Sequence, residues 1–261
     1  CKVMPQVPYI EMGGEYGDMI TTGHAVKNVR EVFEKAKILG RNLARGHDFL
    51  VVSESVAGGT TTALAVMMAM GVIKENLVSS SSPKNPKELK TNLVMEGFKA
   101  AGIEVGSLAH DPLKAIECVG DPMMPVNVGM IIGAAESIPV IVGGGTQMSA
   151  VIACAYELEP SIKGNVIHGT TRWLVKDAAS NVCKMNDSIT NDIPLVYVNM
   201  DYSESPYEGL QAYEWGYIKE GVGCGGSSVA AIASSAGKVD CDILLKKVHE
   251  IYEGILGVQP K

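Results

Sequence analysis

Three glycine-rich runs each follow an apolar segment and precede one with helical spacing. They are Ser53-Glu54-Ser55-Val56-Ala57-Gly58-Gly59-Thr60-Thr61-Thr62, Gly143-Gly144-Gly145-Thr146-Gln147, and Glu220-Gly221-Val222-Gly223-Cys224-Gly225-Gly226-Ser227-Ser228. A loop that opens a helix offers unpaired N–H groups and the positive end of the helix dipole, and glycine lets the backbone approach a phosphate closely. Glycines also simply turn a chain. Three such loops with Thr or Ser at the helix starts favour phosphate or ribose binding, through Gly58, Gly59, Thr60, Thr61, Gly144, Gly145, Gly221 and Gly223. None is a standard fingerprint: no lysine completes a GxxxxGK(S/T) loop, and no GxGxxG follows the first strand.

Two carboxylates stand in these loops, Glu54 at a strand end and Glu220 at the start of the last run. A loop glutamate is ordinarily solvated, but one over a phosphate-binding crevice can hold ribose hydroxyls or take a proton. Lys90 follows the run Ser79-Ser80-Ser81-Ser82 on a helix. A helical lysine is usually a solvated charge; beside Ser80 and Ser81 it can neutralise a phosphate. His168 reads as a structural residue, and the Met67-Met68 and Met123-Met124 pairs as core packing.

The elements that must position these groups follow from periodicity. Residues 25–46 have apolar positions at three- and four-residue steps, which predicts a helix. Strands are expected at 49–52, 139–142, 165–168 and 195–199. Helices are expected at 63–70, 126–136 and 148–157, after the last glycine run to 236, and in a final amphipathic stretch from Ile243 to Ile255. Asn85 and Glu88 suggest a capping box for a helix ending near Ala101. The polar stretch 173–192 suggests an excursion or lid. Alternating strands and helices predict an α/β fold: a doubly wound, mostly parallel, Rossmann-like three-layer sheet with helices on both faces, with room for a small helical appendage. Residues 1–24 read as an irregular N-terminal segment and 25–261 as one domain.

Composition narrows the function. The chain has 261 residues, 46% of them hydrophobic, enough for one core. A net charge of -7 gives no bulk field for a polyanion, which argues against nucleic-acid binding. No apolar run reaches membrane-spanning length and no signal-peptide pattern appears, so a cytoplasmic protein is expected. The six cysteines form no CxxC pair and the five histidines do not cluster, which argues against a metal site and a disulfide framework. A first residue of Cys1 suggests that a preceding segment is missing.

The ordered set Glu54-Ser55-Val56-Ala57-Gly58-Gly59-Thr60-Thr61, Lys90, Pro139-Val140-Ile141-Val142-Gly143-Gly144 and Lys219-Glu220-Gly221-Val222-Gly223 resembles the nicotinate-nucleotide–dimethylbenzimidazole phosphoribosyltransferase family, most closely its archaeal branch. The likeness runs from about Pro8 to the last helix. It implies transfer of phosphoribose from nicotinate mononucleotide to an aromatic base, without metal or cofactor, in a homodimer. It implies that Glu220 is the general base, that Glu54 lies near the ribose and nicotinate, and that Lys90 and the serine run bind phosphate. Thr170 or Thr171 would replace a family serine near the ligand. Where this chain has Gly143, the bacterial branch has an aspartate. Two other readings remain open: a catalytically weak nucleotide-binding sensor or salvage regulator of the same fold, and a Rossmann-type oxidoreductase, which the missing GxGxxG disfavours.

Overall fold

A computed structural model of the chain describes residues 5–56, 58–217, 219 and 222–257. Four short apolar runs form parallel strands: β1 (Leu50–Ser53), β2 (Val140–Gly143), β3 (Val166–Thr171) and β4 (Leu195–Val198). They lie side by side in chain order, with Val52 opposite Val142, Val142 opposite His168, and His168 opposite Leu195. β2 is buried along its whole length, as its unbroken Val-Ile-Val run requires of a central parallel strand.

Helices cover both faces. α1 (Val29–Ala44), α2 (Gly59–Ala69), α3 (Lys87–Ala101), α4 (Pro112–Val119), α5 (Met123–Ala135) and α6 (Thr146–Leu158) build the larger core, which takes Val140 and Val142 from β2. α2 is buried nearly all round, so its apolar run needs no polar face. α1 and α5 cross closely because glycine lets them: a Cβ on Gly133 would stand 2.0 Å from the Lys37 carbonyl oxygen, and one on Gly40 2.3 Å from that of Met130. α7 (Arg172–Val175), α8 (Val182–Ile189), α9 (Glu208–Gln211), α10 (Ser228–Ser234) and α11 (Cys241–Leu256) complete the chain. A smaller cluster unites Trp173, Val198, Met200, Tyr202, Tyr207 and Leu210 with α11. No described helix is long and apolar enough to cross a membrane.

Several local expectations are corrected. α3 begins at Lys87 with Pro86 at its N-cap and no side-chain cap, and the Asn85 amide donates to the carbonyls of Val78 and Ala179. The polar stretch 173–192 is largely ordered: it holds most of α7 and all of α8, which bury Trp173, Leu174, Val182 and Met185. α4, capped by Asp111 ahead of Pro112, was not anticipated.

The last glycine run folds as a π-type turn, Val222–Ser227, laid across the strand ends. A Cβ on Gly226 would lie 2.4 Å from Gly143 Cα, and one on Gly225 2.7 Å from Thr170 Cα. These glycines therefore serve backbone-to-backbone packing. Gly226→Ala is expected to destabilise the fold by about 1–3 kcal/mol through overpacking, read as a lower urea midpoint. An unchanged midpoint would contradict this close approach.

Candidate active site

At the carboxyl ends of β1 and β2 lies a cavity of about 490 Å³. The loop after β1 supplies Glu54, Ser55, Val56 and Gly58, and the start of α2 supplies Gly59, Thr60 and Thr61. The start of α6 supplies Gly145, Thr146 and Gln147. Ser79, Ser80, Ser81, Lys90, Leu174 and Lys219 close the wall. Two helix N-termini, of 11 and 13 residues, thus open on one space. Gly58 has φ +79°, the left-handed conformation that turns the chain from β1 into α2.

Glu54 is buried, and its Oε2 accepts from the Val56 N–H at 2.8 Å and the Gln147 amide at 3.2 Å. The Gln147 amide lies where a Cβ of residue 59 would be, 2.0 Å from it, so glycine at 59 lets the two loops meet. On the serine side the cations are held by backbone. Lys90 Nζ donates to the Ser79 carbonyl at 2.6 Å, and Lys219 Nζ to those of Ser80 and Ser82 at 2.9 and 3.3 Å. Asp177 stands 3.7 Å from Lys219 Nζ and accepts from the Ser79 and Ser180 hydroxyls. Lys90 is only 6% exposed, which corrects the picture of a solvated helical lysine. Burial, with Lys219's charge adding, lowers its pKa to about 8, against the pull of Asp177.

The structure gathers Glu54, Gly58, Gly59, Thr60, Thr61, Ser80, Ser81, Lys90 and Gly145 at this cavity. Gly144 stands behind the wall, where its carbonyl accepts from His168 Nε2 at 3.1 Å. That bond fixes the proton on Nε2, so Nδ1 accepts from the Asn186 amide at 3.0 Å. His168 is fully buried, which disfavours its cationic form, and it holds the Gly144 loop. Glu220 and Gly221 lie outside the described residues, and Gly223 falls in the π-type turn. Sequence reasoning carried Ser79, Thr146, Gln147 and Lys219 only as members of its motifs, without individual roles, and did not name Leu174.

Thr170 and Thr171 are fully buried at the end of β3, off the wall, and neither hydroxyl has a hydrogen-bond partner among the described residues. A buried unpaired hydroxyl costs about 1–3 kcal/mol. Thr170→Val, which keeps the shape, is therefore expected to raise the melting temperature of the unliganded protein. A lower melting temperature would mean that the hydroxyl has a stabilising partner.

Comparison with known proteins agrees with this architecture. The DBI_PRT phosphoribosyltransferase family model matches residues 20–173. The UPF0284 protein of Sulfolobus acidocaldarius is 39% identical over 98% of this chain and 71% of its own length, and that of Methanothermobacter thermautotrophicus 36% identical over 98% and 70%. The solved nicotinate-nucleotide–dimethylbenzimidazole phosphoribosyltransferase of Thermus thermophilus superimposes with a TM-score of 0.53 at 18% identity. That likeness in fold covers 69% of this chain and 52% of the enzyme. The chain belongs to this phosphoribosyltransferase family, in the archaeal-type branch that the UPF0284 proteins represent.

Proposed function

We propose that this protein transfers phosphoribose from nicotinate mononucleotide to a benzimidazole-type or purine base, giving an α-ribazole phosphate and nicotinate for the lower ligand of cobamides. The observation that carries the reading is the shared opening of α2 and α6 with Lys90 and Lys219 onto one cavity that also holds a buried carboxylate. Two helix N-termini and two cations suit a phosphate, and Thr60 and Thr61 add donors. Glu54, across the cavity wall with Gln147, suits the ribose hydroxyls and an oxocarbenium-like C1′.

In this reading the base's ring nitrogen attacks C1′ from the face opposite nicotinate. The C1′–N bond breaks, and its electron pair neutralises the pyridinium ring of the departing nicotinate. The attacking base gives its other ring proton to Glu220. Attack from the opposite face converts a β to an α linkage.

Thermal shift tests the binding half. Nicotinate mononucleotide at a hundred times its Kd should stabilise the protein by about 2.7 kcal/mol, and NAD should not. Equal shifts with both, or none with the mononucleotide, would overturn the reading.

A further inference from the structure

Lys90 and Lys219 reach the serine side of the cavity from distant parts of the chain, and both are held there by backbone carbonyls. A carbonyl dipole orients an ammonium but does not cancel its charge, so two buried ammoniums on neighbouring carbonyls repel one another. The charges that act on Lys90 are those of Lys219, of Lys87 on its own helix and of Asp177, and only the last is negative. Asp177 also stands 3.7 Å from Lys219 Nζ, and both side chains are only 6% exposed. Backbone fixes this carboxylate in the turn after α7. The Asp177 N–H donates to the Leu174 carbonyl at 3.3 Å, and Oδ1 accepts from the Ala179 N–H at 3.0 Å. Oδ2 is left to accept from the Ser79 and Ser180 hydroxyls at 3.0 and 2.7 Å. The same turn is laced to the serine segment. The Asn181 N–H donates to the Leu77 carbonyl at 2.9 Å, and the Asn85 amide joins the carbonyls of Val78 and Ala179. On the far side, the Ser79 N–H donates to the hydroxyl of Thr146, the first residue of α6, at 3.1 Å.

We infer that Asp177 is a positioning residue of the phosphate site: it holds Lys219 and the serine segment in place and is the shared counter-charge of Lys219 and Lys90. This rests on the reading of the cavity as a phosphate site. Asp177 does not itself line that cavity, so it acts through the two lysines and Ser79 rather than on the ligand. Two ammoniums and one carboxylate leave a net positive charge facing the cavity. That attracts a phosphate, and it spares the free protein the repulsion of two bare ammoniums.

Asp177→Asn tests the inference. It keeps the shape, and its amide can donate to the two serine hydroxyls, which turn to accept, but the charge is gone. Loss of an opposite charge lowers an ammonium's titration midpoint by about one pH unit or more, so at about pH 8 the charged fraction of Lys90 should fall roughly fivefold. In calorimetric titrations the variant should bind nicotinate mononucleotide no more weakly than wild type at about pH 6, and roughly fivefold more weakly at about pH 8. Nuclear magnetic resonance of isotope-labelled lysine, with Lys90→Met assigning the signal, follows the same change without ligand. The Lys90 midpoint should fall from about 8 in Asp177→Asn and rise in Lys219→Met, where the repelling ammonium is removed. A midpoint that stays near 8 in either variant would overturn the inference. So would binding weakened by one factor at both pH values, the result of a purely structural role. Inorganic phosphate is the second probe. Phosphate binding and a shifted midpoint, without binding of the mononucleotide, would leave the role of Asp177 standing and remove the transfer reading. Wild-type protein that binds neither would overturn both.

Discussion

Glu220→Gln is expected to lower the rate of nicotinate release by roughly 10²–10⁴-fold, the usual worth of a general base, while nicotinate mononucleotide still binds. The substitution keeps size and hydrogen-bonding capacity and removes basicity. Other candidate bases are already engaged. His168 is buried and neutral, with both ring nitrogens in hydrogen bonds, so it has no free site for a proton. No histidine lines the cavity wall among the described residues. Glu54 does line it, but its Oε2 already accepts from the Val56 N–H and the Gln147 amide. Lys219, the neighbour of Glu220 in sequence, is anchored to two serine carbonyls at the cavity wall. Steady-state nicotinate release, paired with a binding titration, measures the effect. Near-normal turnover would pass the role to Glu54. Lost binding together with lost turnover would make Glu220 a ribose anchor.

Lys90→Met is expected to weaken binding of nicotinate mononucleotide by about 1.5–3 kcal/mol, roughly 10–150-fold, as loss of a charge-assisted hydrogen bond to phosphate should. Methionine keeps the apolar stem that the buried site requires. A pH signature accompanies it. Burial holds the Lys90 pKa near 8, well below the ordinary lysine value, so the free protein loses this cation as pH rises through that point. Wild-type affinity should therefore fall above about pH 8, and the methionine variant should lack that component. The same depression means that the folded state binds fewer protons than the unfolded one between pH 8 and 10.5, so this residue's contribution to stability rises with pH across that window. Calorimetric titrations at about pH 7 and 9, on either side of that pKa, decide the matter. Equal affinities in wild type and variant at the lower pH would make Lys90 a structural anchor of the Ser79 carbonyl.

The strands and most helices were legible because β-branched runs, glycine loops and three- to four-residue spacing all point the same way. What escaped the sequence was set by tertiary partners. On α3, hydrophobicity alone would bury Leu89 and Met95 and expose Lys90. The fold does the reverse, leaving Leu89 58% and Met95 46% exposed, because the Ser79 carbonyl is placed to receive the ammonium. Asn85 looked like a cap and instead ties two distant carbonyls together. Of the last run, Gly221 and Gly223 read from sequence as ligand contacts, and Gly225 and Gly226 had no role; these two are small because strand backbone lies against them, a constraint invisible until the chain is folded. Gln147 joins the site only because Gly59 leaves space for its amide, 93 residues away from its carboxylate partner, Glu54.

The most direct test of phosphoribose transfer is nicotinate release from nicotinate mononucleotide, followed with and without benzimidazole, dimethylbenzimidazole and adenine, with the product's anomeric configuration read by nuclear magnetic resonance. Transfer with inversion predicts release that depends on an added base and an α-linked ribotide as product. Release at the same rate without any base, a β-linked product, or no release with any of the three bases would contradict it.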